Sequence, residues 1–276
     1  SIKLPNNPAF TSIEQDTFGG CGSLTSIVIP DSVETIGDRA FRYCTSLASA
    51  TIGNSVTSIG SSAFYNCNDL LSITIPDSVT SIGSYAFNYC RSLASATLPN
   101  NVNFTSIENS TFAVCNDLLS ITIPDSVTSI GSSAFYNCSS LSSVTIPDSV
   151  TSIGSSAFYN CSSLSSVTLP TNVNFTTIGN STFKDCTSLT SVTIPDSVTS
   201  IGNEAFRDCT DLTSITLPTN VNFTSIKNNT FYFCAGLTSI TIPDSVTNIG
   251  TSAFQGCGLT SITIPDSVST IKQRAF

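Results

Sequence analysis

Apolar and polar positions alternate from Leu141 to Pro147: Leu141, Val144 and Ile146 are apolar, while Ser143 and Thr145 are polar. Alternation with period two predicts a strand with one face buried. Pro147 ends it, because proline has no N–H to donate to a ladder. In the following Asp-Ser-Val-Thr-Ser-Ile-Gly, Val150 and Ile153 point inward and Thr151 and Ser152 outward. That pattern predicts extended or turn structure, with room for a second narrow ladder. Serines then precede Ala157 and Phe158 as an N-cap would, which predicts a single turn of helix or 3₁₀ helix. The stretch from Pro124 to Ile146 returns almost unchanged from Pro147 onward.

A fixed period of this size means a solenoid, in which each unit is one coil stacked on the next. The cysteines count the coils: Cys21, Cys44, Cys67, Cys90, Cys115, Cys138, Cys161, Cys186, Cys209, Cys234 and Cys257 lie 23 or 25 residues apart. The fold expected is therefore a coil of about 11–12 repeats of 23 or 25 residues, forming one domain over residues 1–276. Stacked strands pair in parallel at a spacing of about 4.8 Å, giving a rod roughly 50 Å long. The longer coils carry Asn-Phe after the valine, as in Pro99-Asn-Asn-Val-Asn-Phe. The added Phe104, Phe175 and Phe223, with Phe10 in the same slot, are expected in a bulge on one edge that leaves the core alone. The phenylalanines before each cysteine, from Phe18 to Phe276, are expected to stack as an aromatic spine. The chain starts in a strand tail and stops in mid-coil, which reads as a fragment or processed chain without native caps.

The string Ile-Pro-Asp-Ser-Val-Thr-Ser-Ile-Gly-x-x-Ala-Phe-x-x-Cys-x-x-Leu resembles the BspA-like leucine-rich repeat, the Treponema pallidum type, along essentially the whole chain. The resemblance implies a right-handed leucine-rich-repeat solenoid with a parallel β-sheet on its concave side. It also implies surface-exposed or secreted proteins of bacteria and some protists, several of them adhesins.

Composition narrows the function. The chain is 40% hydrophobic and 10% charged, with net charge −9 and no histidine, methionine or tryptophan. A neutral, hydroxyl-rich surface is more typical of extracellular solenoids than of cytosolic enzymes. The negative balance with scattered basic residues argues against nucleic acid. No stretch reaches the roughly 18–20 apolar residues of a membrane span, and no signal peptide is visible. Without histidine or a glycine-rich phosphate loop, catalysis has little support, and no cofactor is implied.

Candidate sites compete with plainer readings. One cysteine per coil, an odd total and no Cys-x-x-Cys pair favour buried free thiols over inter-coil disulfides or zinc. Aspartates after proline, such as Asp31, Asp77, Asp148 and Asp196, fit an Asx-type turn accepting a local N–H better than a calcium ladder. Columns of Ser143-type and Thr145-type hydroxyls line the strand face and suit an exposed strand. A partner surface, or more remotely an ice-ordering lattice, is the sharper alternative.

The coils differ most beside the Phe-Cys turn. Arg42, Tyr43, Tyr65, Tyr89, Tyr136, Tyr159, Arg207 and Tyr232 lie there, and Tyr and Arg are the usual interface anchors. That edge and the bulge aromatics Phe10, Phe104, Phe175 and Phe223 are the expected partner-binding positions, against the plainer reading of a tolerant solvent-facing edge. Among the Asn-x-Ser/Thr sequons, Asn103, Asn174 and Asn222 in the bulges are the best-placed glycan acceptors in a eukaryotic host. The function expected is an extracellular or cell-surface adhesion module for a protein or glycan ligand. The alternative is a structural spacer that associates end to end, with ice or mineral binding more remote.

Overall fold

A computed structural model describes residues 2–276. The chain divides into two compact units, Ser1–Leu141 and Ser142–Phe276. Each is a stack of coils, and most coils add a short strand to a parallel sheet, the slots at residues 239–241 and 261–263 adding none. In the first unit that ladder runs through Ile2–Lys3, Ser26–Val28, Ser49–Thr51, Ser72–Thr74 and Ser95–Thr97. In the second it runs through Ser143–Thr145, Ser166–Thr168, Ser191–Thr193 and Ser214–Thr216. Register moves by one coil at each step: Ser143 faces Ser166, Val144 faces Val167 and Thr145 faces Thr168. The alternation in the sequence sets which side is buried. Ile73, Val144, Val192 and Ile215 turn inward, and the flanking Ser and Thr are exposed.

The second narrow ladder forms as the pattern predicts. Two-residue strands Ser12–Ile13, Thr35–Ile36, Ser58–Ile59 and Ser81–Ile82 pair in parallel in the first unit. Thr177–Ile178 and Ser200–Ile201 do the same in the second. Between the ladders, the Phe column stacks within each unit. From Phe18 through Phe41, Phe64, Phe87 and Phe112 to Phe135, centroid distances are 5.0–5.8 Å and ring planes differ by 4–12°. From Phe158 to Phe276 the distances are 5.4–5.8 Å. Offset, near-parallel rings are a favoured aromatic arrangement.

The expected helical turn does not form. Every coil before the last instead puts two residues in the left-handed region, such as Arg39 and Tyr43, then Ser62 and Asn66, then Tyr85 and Tyr89, these six with φ of 56–62°. The amides of Arg39, Phe41 and Tyr43 donate along the stack to the carbonyls of Ser61, Ala63 and Tyr65 at 2.7–2.9 Å. The intervening amides of Ala40, Arg42 and Cys44 close turns onto Gly37, Arg39 and Phe41. A helix would keep every amide within its own coil. Left-handed backbone costs roughly 1–2 kcal/mol per residue for side chains other than glycine, and here it redirects every second N–H to the next coil.

The longer coils also depart from expectation. Phe104, Phe175 and Phe223 are buried. The i→i+3 turn that runs Val127 N–H to Pro124 carbonyl runs Phe104 N–H to Asn101 carbonyl in the longer coil. Phenylalanine thus replaces the inward valine, and the preceding valine is forced out: Val102, Val173 and Val221 are 83%, 81% and 80% exposed. Phe10, half-buried, closes the same turn onto Asn7.

The larger ring holds its coil further from the one before. At Gly60, Gly83 and Gly202 an added Cβ would lie 2.5 Å from backbone of the preceding coil, so only glycine fits. At Gly179, just after Phe175, the nearest atom is 3.1 Å away. After Phe10, Phe104 and Phe223 the slot holds Glu14, Glu108 and Lys227. Pairing is sparse at these longer steps: Ser95 meets Ser120 by a lone bridge, Ser166–Thr168 meets its 25-residue neighbour at Ser191 alone, and Ser106–Ile107 starts a new sheet, although the 23-residue step from Ser49–Thr51 to Ser72–Thr74 also pairs at one residue, Ser49 with Ser72.

Candidate functional site

Tight coil stacking fixes what each position can do. The thiols are free and buried, apart from the half-buried Cys21 and Cys257. From Cys44 on, the Sγ–H points at the carbonyl of a spine phenylalanine one coil back wherever that bond is described, as Cys67 does to Phe41 at 3.2 Å and Cys90 to Phe64 at 3.2 Å. Burial pushes the Cys90 and Cys138 thiols up to about 12, which removes the thiolate needed for nucleophilic or metal chemistry. Among the described residues no group of three or more His, Cys, Asp or Glu is placed to hold a metal. No helix there is long and apolar enough to cross a membrane.

The proline-linked aspartates reach across coils instead of closing local turns. Asp31 Oδ1 accepts the N–H of Asn54 at 2.7 Å, and Asp77 Oδ1 that of Asn100 at 2.8 Å. Asp196 Oδ1 accepts both the N–H and the hydroxyl of Thr219 at 2.7 and 3.0 Å, and these bonds hold its carboxyl below the usual range. In each case the next coil carries Asn or Thr in that slot, so no second carboxylate opposes the first.

Three of the four bulge aromatics offer no surface, because Phe104, Phe175 and Phe223 fill the core, while Phe10 is half-buried. Asn103, Asn174 and Asn222 are exposed at the turn tips, their backbone N–H groups held by Asn101, Asn172 and Asn220 Oδ1 at 2.7–2.9 Å.

The Phe-Cys edge is where the two units differ. In the first, stacking brings Tyr43, Tyr65 and Tyr89 from successive coils side by side, with centroids 5.5 and 5.7 Å apart. Arg42 lies over Tyr43 at 4.7 Å and over Tyr65 at 5.4 Å, and Arg91 lies over Tyr89 at 5.4 Å. Partial burial, with Tyr43 and Tyr89 adjoining, raises the Tyr65 hydroxyl. Arg39 is taken up by Asp16 at 3.0 Å, whereas none of the ion pairs among the described residues engages Arg42 or Arg91. Leu71 and Leu119 are exposed in nearby coils of the same unit.

In the second unit the two cations of this edge, Lys184 and Arg207, are spent internally. Lys184 pairs with Glu204 at 2.7 Å, and Arg207 with Asp208 at 3.0 Å and Glu204 at 3.5 Å. Lys184 also lies over Tyr159 at 5.3 Å, and Arg207 over Tyr232 at 4.9 Å. Tyr232 packs on Phe233, 4.8 Å away. Burial, with Asp208 adding repulsion against the Tyr159 hydrogen bond, leaves the Asp185 carboxyl raised. Tyr136 sits exposed in the first unit, outside the Tyr43–Tyr65–Tyr89 contacts described above. The sequence shows these residues as one edge; only stacking separates a free aromatic–arginine surface from a self-paired network. Arg91, which the sequence also places on this edge, extends that surface.

Known proteins bear on the same architecture. A cell-surface leucine-rich protein from Faecalibacterium prausnitzii is 34% identical, with 96% of this chain and 80% of that one covered and a TM-score of 0.63. A leucine-rich repeat protein from Bacteroides ovatus is 31% identical over 95% of this chain and 87% of its own, with a TM-score of 0.52. The leucine-rich repeat protein of T. pallidum is 28% identical over 76% and 87%, with a TM-score of 0.55. No curated protein matches the chain. The model of the BspA type leucine-rich repeat region matches residues 11–139, 105–223 and 174–276. Coil length, strand ladders, Phe spine and these matches agree, and the chain belongs to the BspA type leucine-rich repeat family.

Proposed function

We propose that this chain is a non-catalytic recognition module, displayed on a cell surface or secreted, that adheres to a protein or glycan ligand. The observation that carries the reading is the first unit's edge, where three tyrosines and two arginines without ion-pair partners lie together. Exposed Tyr and Arg are the residues that anchor interfaces, and the rings hold the guanidiniums in place without neutralising them. The family and the cell-surface description of the Faecalibacterium protein support the setting. A sequence without histidine, with its cysteine thiols largely buried, has little to react with.

The test is a binding panel of immobilised matrix proteins and glycans, run with the chain and with a Tyr43→Ser, Tyr65→Ser, Tyr89→Ser variant. Saturable binding lost in the variant supports the reading. Binding that survives the triple substitution, or a panel that finds only self-assembled filaments, refutes it.

A further inference from the structure

The first unit's edge holds more unsatisfied polarity than its tyrosines alone suggest. Arg42 Nε is buried without a hydrogen-bond partner, and so are the side-chain oxygens of Asn68 and Asn88. Asn88 is 5% exposed and sits in the chain between spine residue Phe87 and platform residue Tyr89. Arg42, Tyr65 and Asn88 hold the same position in three successive coils, two residues before Cys44, Cys67 and Cys90. Donors, acceptors and aromatic faces therefore alternate along the edge at the spacing of the coils. A buried polar atom without a partner costs free energy and calls for an explanation, of which a ligand is one; Ser32 Oγ, Ser197 Oγ and Asn248 Oδ1 are similarly placed elsewhere in the chain.

Three chemical demands follow. The tyrosine faces need an apolar surface. The two guanidiniums need a planar anion, for which a carboxylate fits their fork. The asparagine oxygens need donors. A pyranose carries an apolar C–H face beside hydroxyls that both donate and accept, and an acidic sugar adds the carboxylate. A repeating polymer also matches a site that repeats with each coil. Net charge is −9, so an anionic chain is repelled by most of the surface and held only where cations are unpaired.

Resting on the recognition reading above, we infer that the Arg42–Tyr43–Tyr65–Tyr89–Arg91 edge binds a polysaccharide bearing carboxylated sugars. The Phe-Cys edge of the second unit does not share this property, because its Lys184 and Arg207 are already neutralised by Glu204 and Asp208.

The experiment is titration of the full chain with hyaluronan oligosaccharides, which carry carboxylates without sulfate. Dextran is the neutral arm, heparin the sulfated arm and poly-glutamate the acidic-peptide arm. Saturable hyaluronan binding, weakened by added salt and absent with dextran, is expected. Arg42→Gln and Arg91→Gln should each weaken it about tenfold or more. Arg91→Lys, which keeps the charge and loses the fork, should recover only part of that loss. Arg207→Gln should leave it within about twofold, matched folding being checked by circular dichroism.

No hyaluronan binding overturns the inference, as do equal binding to dextran, tighter binding to heparin or poly-glutamate, or equal effects of Arg91→Gln and Arg207→Gln. If hyaluronan fails while another ligand from the panel still needs the tyrosines, the recognition reading stands and the saccharide assignment falls. If nothing depends on the tyrosines, both fall.

Discussion

Replacing one glycine by alanine at two equivalent slots separates the account from a generic solenoid. At Gly83 the new methyl carbon would lie 2.5, 2.7 and 2.8 Å from backbone atoms of Ser61 and Gly60. Backbone cannot rotate away, so the coils must part, breaking the bond from Gly83 N–H to Ile59 carbonyl, now 2.8 Å. Overpacking of this kind costs about 1–3 kcal/mol. At Gly179 the contacts are 3.1, 3.2 and 3.2 Å, a few tenths of an ångström from ordinary. Neither glycine has positive φ, so alanine also stiffens the unfolded chain, a gain of about 0.4–1 kcal/mol. Gly83→Ala should therefore destabilise by about 1–2 kcal/mol, and Gly179→Ala should fall within about 0.5 kcal/mol of neutral. Urea unfolding followed by far-ultraviolet circular dichroism reads both. Equal losses would refute the claim that Phe175 widens the gap to the coil before it.

Other consequences follow from the same packing. Phe175→Ala should cost about 3–5 kcal/mol by urea unfolding, while Val173→Ser two residues away should stay within about 0.5 kcal/mol; the reverse order would restore the bulge register read from the sequence. At pH 8, a thiol reagent should titrate only Cys21 and Cys257 in the native chain, because the thiols between them are buried and Cys90 and Cys138 lie near 12; fast reaction of more than these two would contradict the thiol column. Hydrogen bonding by Arg39 lowers Asp16, and bonding by Thr219 lowers Asp196. A carboxyl lower in the folded state than its ordinary 3.8 stabilises above that value and loses the effect as pH falls below it. Asp16→Asn and Asp196→Ala should therefore flatten the acid limb of the stability curve, and an unchanged limb would count against both bonds.

Much of this was legible in the residues. The Phe column, the free thiols and both strand ladders follow from period and alternation, because stacked coils give identical residues identical surroundings. Counting forward from Pro99 placed Phe104 in a bulge. Counting back from Ile107, as Val127 stands to Ile130, puts it in the inward slot, so that signal was present. The left-handed turns at Arg39 and Tyr43 were hidden because Ser, Tyr and Arg do not announce positive φ as glycine does, although Asn66, Asn137 and Asn160 in the Tyr43 slot are of a type enriched there. The reach of Asp77 to Asn100 depends on the distance between coils, which local turn chemistry does not contain. Pairing of Lys184 with Glu204 likewise emerges only when neighbouring coils are superposed, whereas Arg207 reaches Glu204 and Asp208 within its own coil.

The most direct measurement is residue-resolved amide hydrogen exchange. Alternate amides in the Phe-Cys turn donate to the next coil: Phe41 to Ala63, Phe64 to Ala86, Phe183 to Ala205 and Phe231 to Ala253. Protection should peak at these phenylalanine amides and recur with the 23- and 25-residue period of the sequence. Protection without that period, or rapid exchange along the phenylalanine column, would contradict a stack of hydrogen-bonded coils.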